Sequence, residues 1–158
     1  MNRFAVRASV VVGSLAALLL GIATSQAQMS KIGSGDVVAD RQRLMKLNGA
    51  SWKDVQDKVK AGQIEAVAVN AETMALNAKH ISSLFPQGSL TDKSKAKPEV
   101  WQKFSEFEAA AKNFETKADE LREAARAKDQ AKVEALVKDF GRQACGTCHQ
   151  PFRVPPPQ

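Results

Sequence analysis

The sequence is poor in cysteine and histidine, with only two of each among its 158 residues. It also lacks the alternation of apolar and polar residues that is typical of half-buried β-strands, and it contains no internal repeat. The lack of strand alternation argues against a sheet-based fold, including the strand-and-helix setting of thioredoxin-like dithiols. The length is sufficient for one domain and too short for two ordinary ones.

Dense basic patches interleaved with aromatic residues, which are typical of nucleic-acid-binding proteins, are missing as well. The formal net charge of the whole chain is +6. Without the N-terminal residues 1–27, which include Arg3 and Arg7, 21 basic and 17 acidic residues remain, and the net charge is +4. We therefore expect no nucleic-acid partner. The small excess allows weak steering toward an acidic partner surface.

Only one stretch of the sequence is apolar enough to enter a membrane. Arg3 and Arg7 precede an apolar run over residues 10–23, and small residues follow up to Ala27. This order predicts a secretory signal peptide over residues 1–27, cleaved after Ala27. The run is short for a membrane span, which needs about 20 apolar residues. We expect export to the periplasm and no stable membrane insertion after cleavage, with an uncleaved anchor as the alternative.

Both cysteines and one histidine occur together near the C-terminal end, where Cys145, Cys148 and His149 form C-x-x-C-H. This pattern is the attachment signature of c-type haem. Thiols three residues apart project from one face of a helix, where each can form a thioether with a porphyrin vinyl group. Histidine is the usual proximal ligand of haem iron. We predict one covalently bound haem c, with a disulfide in an oxidising compartment as the alternative.

Helical periodicity in four stretches predicts an all-α fold. Asp36 is a suitable N-cap for the first helix, and Pro151 is expected to end the fourth near Gln150. Short connections between the helices predict an antiparallel four-helix bundle, in which cofactor sites lie in the core between facing helices. The predicted mature domain spans residues 28–158, and its helices are expected over residues 36–61, 63–85, 98–128 and 129–150.

A second iron ligand would have to come from elsewhere in the bundle. Met45 lies on the apolar stripe of the first helix, and from periodicity alone a core methionine is the favoured interpretation. Met74 on the second helix is the other candidate. Gly49, one turn after Met45, is expected to let a flat group approach the helix backbone. His80 is expected to be a surface histidine, with bis-histidine ligation as its functional alternative.

The sequence resembles the class II c-type cytochromes, the cytochrome c′ family, and within it the low-spin cytochrome c-556 branch. Two segments carry the resemblance: GRQACGTCH over residues 141–149 with Phe152 and Arg153 following, and RQRLMK over residues 41–46 on the first helix. The resemblance spans essentially the whole predicted mature chain. It implies a left-handed four-helix bundle with haem between the helices.

The resemblance also implies roles for individual residues. His149 would be the proximal ligand, and Met45, four residues after Arg41, would occupy the distal position. That position is usually apolar in gas-binding members, whose iron is five-coordinate, whereas a methionine binds the iron in the c-556 type. Arg41 would lie near a haem propionate. The place of Arg153 stays open, because Pro151 stands where relatives often continue a helical turn.

Two functions are compatible with these features. The first is a periplasmic electron carrier, not an enzyme, that exchanges single electrons with a redox partner protein through His/Met-ligated haem. The alternative is a cytochrome c′ that binds nitric oxide or carbon monoxide at an open or displaceable distal position. Relatives often form homodimers through their first two helices. The lysines at positions 93, 95 and 97 are expected to belong to a solvated loop, with a docking patch as the alternative.

Overall fold

The computed structural model describes residues 33–155, so the predicted signal peptide lies outside the described residues. The bundle belongs to the compact unit that begins at Asp36. The all-α fold class is confirmed, and none of the helices in residues 33–155 is long and apolar enough to cross a membrane. The helices are α1 (Val37–Lys60), α2 (Val67–Ala78), α3 (Glu99–Gln102), α4 (Phe104–Arg126), α5 (Gln130–Phe140) and α6 (Thr147–Phe152), with a 3₁₀ turn at Ser82–Leu84 and a π-helical segment at Gly141–Gly146.

Helix α1 begins where its sequence provides a cap. The Asp36 carboxylate accepts hydrogen bonds from the backbone N–H groups of Val38 and Ala39, both at 3.0 Å, which satisfies donors that the first turn leaves free. The helix ends at Lys60, and Gly62 then adopts a φ of +69°, a conformation that a glycine takes without strain. The chain can therefore reverse direction toward α2.

The second helix is shorter than the predicted range of residues 63–85. At its start, Val67 N–H bonds to the carbonyl of Ile64, three residues back, and at its end Ile81 N–H bonds to that of Ala78 in the same way. Ile64, Ile81 and Phe85 are all buried. The apolar pattern therefore continues through tight turns at both ends, which explains why periodicity overestimates the length of the helix.

The third and fourth predicted helices are both interrupted. Lys103, with φ −127° and ψ 47°, separates α3 from α4. The fourth consists of α5, the π-helical segment and α6. The prediction that Pro151 ends it near Gln150 is wrong, because α6 continues to Phe152. Pro151 lies in the last turn and has no N–H to donate to the carbonyl of Thr147, four residues back, but the N–H of Arg153 still bonds to the carbonyl of His149.

The core lies where α2 and α4 pack together, with α1 and α5 beside them. Alanines line much of the buried faces of α2 and α4, which lets the two helices approach closely. The largest side chains with no exposed surface come from α1, α2, α3, α4 and α5: Val55, Met74, Val67, Val100, Leu121 and Val133. This core supports one side of the site described next.

The loop over residues 86–97 is tied to the bundle at both ends. At its start, Trp101 Nε1 donates to the carbonyls of Phe85 and Pro86, at 3.1 and 2.9 Å. At its end, the N–H of Lys97 bonds to the carbonyl of Phe152 at 2.9 Å, and the N–H of Val154 bonds to that of Lys95 at 2.8 Å. These bonds hold the loop beside the end of α6.

Candidate haem site

A cavity of about 520 Å³ lies between α1, the 86–97 loop and α6. Its volume falls within the roughly 300–1,000 Å³ that is usual for cofactor pockets. Each wall comes from a different part of the chain, so the cavity exists only in the folded bundle. The lining residues are Val38, Arg41, Gln42, Met45, Lys46, Phe85, Ser94, Lys95, Ala96, Phe107, Cys148, His149, Phe152 and Arg153.

Helix α1 supplies one wall through residues at helical spacing. Val38, Arg41 and Met45 follow one another at three- and four-residue intervals, which places them on the same face of α1. Met45 is half-buried and packs against the hydrophobic core. A thioether in this position is a soft, neutral donor at the cavity wall.

Helix α6 supplies a second wall through Cys148, His149 and Phe152. The His149 side chain is exposed at the cavity, yet the protein packed around it, aided by the charge of Arg153, lowers the pKa of its imidazole. The neutral ring that this favours retains a lone pair for a metal ion. Burial raises the pKa of Cys148 to about 11, with a further contribution from Cys145, so this side chain is held as a thiol.

Cys145 does not line the cavity, although it lies in the π-helical segment that leads into α6. It is half-buried against the core, and burial raises the pKa of its thiol. Asn113 on α4 holds this segment: its Nδ2 donates to the Gln143 carbonyl at 2.7 Å and lies 3.3 Å from Thr147 Oγ1. The sequence provided no signal for this contact, because it joins residues 30 positions apart.

Arg41 is the one charged side chain buried within residues 33–155, with 4 % of its surface exposed. Its Nη2 donates to the Ser89 carbonyl, and its guanidinium carbon lies 4.6 Å from the centroid of the Phe85 ring. Burial lowers its pKa, an effect that Asp36 opposes. Nε and Nη1 have no hydrogen-bond partner among the described residues. A buried cation with two free donors is suited to an anionic group entering the cavity.

These features fit haem c. Cys148 and Cys145 provide the thiols for two thioethers, and His149 provides an imidazole next to them. The orphaned donors of Arg41 match a propionate carboxylate. The aromatic rings of Phe85, Phe107 and Phe152 form an apolar part of the cavity lining. The ring centroid of Phe107 lies 4.7 Å from that of Phe85 and 5.4 Å from that of Phe152.

Other candidate residues lie elsewhere. Met74 has no exposed surface and belongs to the core, and His80 is exposed on the surface; neither lines the cavity. Gly49 is exposed, and an added Cβ would meet no neighbouring atom within 4 Å, so the close approach of a flat group to its backbone stays a prediction. Conversely, the loop residues Ser94 to Ala96 line the cavity without having been predicted to do so.

Known proteins resemble the chain over most of the described residues. A family model described as Cytochrome C' matches residues 36–153. The chain is similar to a cytochrome c-556 from Agrobacterium fabrum, with 38% identity over 120 residues that cover 74% of this chain and 80% of the relative.

Solved structures share the fold. A nitric oxide complex of a cytochrome c prime variant from Alcaligenes xylosoxidans superimposes with a TM-score of 0.67 at 25% identity, covering 77% of this chain and 96% of the other. Another cytochrome c', described as having an unusual ligand-controlled dimer dissociation, superimposes with a TM-score of 0.68 at 24% identity over 75% of this chain and 95% of the other.

Proposed function

Since the chain belongs to the cytochrome c′ family, whose members carry covalently bound haem c, we propose that it is an electron carrier of the c-556 type with His149 and Met45 as axial ligands. The observation that carries this proposal is that Met45 and His149, on α1 and α6, line one cavity. The resemblance to a cytochrome c-556 supports the same ligand pair. In this proposal the protein transforms no substrate and is not an enzyme.

Each site residue has a distinct part in holding the group. Cys145 and Cys148 would form the two thioethers, and His149 would bind the iron from the same segment. Met45 would occupy the second axial position. Arg41 would donate its free Nε and Nη1 to a propionate. These contacts would hold the group between the first helix and the last.

Haem c supplies reversible one-electron redox chemistry. The protein's contribution is to choose the ligands and the surroundings that set the potential. The Met45 thioether, paired with an imidazole, favours the reduced state relative to harder ligands. Phe85, Phe107 and Phe152 keep water away from the buried side of the cavity. With Met45 and His149 both bound to the iron, no position would remain for a substrate.

A second candidate function is the binding of nitric oxide or carbon monoxide. The solved structure of a nitric oxide complex in the same fold supports it. Met45 is half-buried on the wall of an open cavity, so a strong ligand that displaced it would have room. The two functions differ in whether Met45 stays bound.

We also propose a periplasmic location, through cleavage of a signal peptide over residues 1–27, and a mature domain over residues 28–158. A homodimer is a further proposal, supported by the relative whose dimer dissociates under ligand control. Leu47 on α1 and Leu76 on α2 are about half exposed and would be available to such a contact.

The test is the spectrum of the holoprotein and of two matched variants. The wild type is expected to be low-spin in the ferric state, with a charge-transfer band from methionine sulfur to iron. Met45→Leu should lose that band and bind carbon monoxide readily, whereas Met74→Leu, the same change in the core, should keep the wild-type spectrum. A high-spin wild type that binds carbon monoxide readily would favour the gas-binding function instead.

A further inference from the structure

Five basic residues stand around the mouth of the cavity, and we call them the basic rim: Lys46, Lys93, Lys95, Lys97 and Arg153. Three of them, Lys46, Lys95 and Arg153, line the cavity itself. The other two flank Lys95 in the loop. All are exposed except Lys97, which is half-buried. The rim therefore brings cations from α1, the loop and the C-terminal segment to one place.

The rim cations differ from most others on the bundle in having no acidic partner. Within residues 33–155, none of the five forms an ion pair. Elsewhere most cations are neutralised locally, as in the pairs Lys53–Asp57 and Lys117–Glu120. The 86–97 loop carries three lysines and one acidic residue, Asp92. Positive charge is thus concentrated at the cavity mouth.

The backbone that carries the rim is held in place. Gln42 Nε2 donates to the Lys93 carbonyl at 3.0 Å, and the loop bonds to the C-terminal segment at Lys95 and at Lys97. Lys97 Nζ donates to the Gln150 carbonyl at 3.0 Å, which leaves its charge uncompensated. A charged surface on a fixed backbone loses less entropy on binding than a mobile loop would.

We propose that the basic rim is the docking surface for a redox partner protein that presents an acidic, carboxylate-rich patch. This inference rests on the proposed electron-carrier function, since it brings the partner to the side where the cavity opens. Haem propionates would offset only part of the rim charge, because Arg41, inside the cavity, already offers them two free donors. Complementary charge of this kind raises association rates and orients the partner.

The experiment compares two triple charge reversals of the holoprotein. The rim variant is Lys46→Glu/Lys93→Glu/Lys95→Glu. The control is Lys60→Glu/Lys132→Glu/Lys138→Glu, which alters three exposed lysines that also lack ion pairs within residues 33–155 but do not line the cavity. Both variants change the net charge equally, so a difference between them reports on position.

Two probes are used on each protein. Poly-L-glutamate, an acidic polypeptide, is titrated while amide chemical shifts are recorded. Hexacyanoferrate(III) is mixed with the reduced protein, from which it accepts one electron to become hexacyanoferrate(II). We expect the shifts to centre on residues 46, 93–97 and 153. We also expect the rim variant to lose them and to react about tenfold more slowly at low salt, while the control stays close to wild type.

The outcomes separate this inference from the proposed function. Equal slowing in both variants, or shifts spread over Lys132 and Lys138, would overturn the docking surface and leave the electron carrier standing. Failure of the wild type to exchange an electron with hexacyanoferrate(III) would overturn the electron carrier, whatever the shifts show, and with it a redox partner. At 1 M salt, where the screening length is about 3 Å, the difference between the variants should disappear.

Discussion

Met45 on α1 and His149 on α6 line the same cavity, although they come from the first and last helices of the bundle. Met45 lies one turn from Arg41 on α1, and His149 lies four residues before Arg153, which follows the end of α6; both arginines also line the cavity. A soft donor, an imidazole and two cations thus surround one space. The resulting site is suited to a flat, anionic, iron-containing group.

The first prediction concerns the buried charge of Arg41. In the holoprotein, Arg41→Met should lower the reduction potential, because a nearby cation stabilises the state that has gained an electron. We expect a decrease of about 30–60 mV, equivalent to roughly 0.7–1.4 kcal/mol for one electron. Potentiometric titration followed by absorbance measures it.

Arg43→Met is the matched control for that change. Arg43 is exposed, and its guanidinium pairs with Asp40 at 2.7 Å, outside the lining of the cavity. Its removal should leave the potential close to that of the wild type. Equal decreases in the two variants would mean that Arg41 acts only through net charge, contrary to its proposed contact with a propionate.

The second prediction concerns the contact that holds the segment before α6. Asn113→Ala removes the donor to the Gln143 carbonyl and should reduce the free energy of unfolding by about 1 kcal/mol. Asn113→Asp should cost more, because a carboxylate would then face a carbonyl oxygen. Asn70→Ala, which loses interactions only with the Lys58 and Asp54 side chains, should change stability by less than about 0.5 kcal/mol, because those two side chains still pair with each other. Denaturant titration of the ferric holoprotein gives all three values.

Much of the fold could be predicted from the sequence, because helices that bury one face repeat their apolar residues with a fixed period. The errors in the predicted helix bounds occur where a side chain is buried but its backbone is not bonded as part of the helix, or the reverse. Ile64 and Phe85 are buried without belonging to α2, and Pro151 lies within α6 instead of after it. The π-helical segment before α6 leaves no mark in the apolar pattern. Periodicity reports which side chains are buried, and only indirectly which backbone groups are bonded.

Some residues of the candidate site could likewise be predicted from the sequence, and others could not. Of the residues that line the cavity, Cys148 and His149 were predicted from a short pattern whose spacing has a chemical reason, and Arg41 and Met45 were predicted from the resemblance to the cytochrome c′ family. Asn113 and the loop residues from Ser94 to Ala96 were not, because their positions depend on contacts between distant parts of the chain. Tertiary structure alone brings the loop residues to the cavity and Asn113 to the segment before α6.

The third prediction tests the core. Leu121 on α4 has no exposed surface, so Leu121→Ala leaves a cavity and should cost about 2–5 kcal/mol of unfolding free energy. Leu76→Ala, at a leucine that is 50% exposed, should change stability by less than about 0.5 kcal/mol. Chemical denaturation followed by circular dichroism distinguishes the two. Similar losses would indicate that Leu76 is covered in solution, as a homodimer contact through α1 and α2 would require.

The fourth prediction concerns the anchor of the 86–97 loop. Trp101→Phe keeps an aromatic ring but removes the Nε1 donor to the Phe85 and Pro86 carbonyls. Loss of about 1 kcal/mol from this anchor should make local opening about fivefold more frequent. Trypsin should then cleave after Lys93 and Lys95 about fivefold faster in the holoprotein.

Trp52→Phe is the control, because Trp52 stacks on Phe140 with centroids 4.7 Å apart and does not contact the loop through a hydrogen bond. Unchanged cleavage in Trp101→Phe would show that the bonds of the loop to the C-terminal segment are sufficient to hold it.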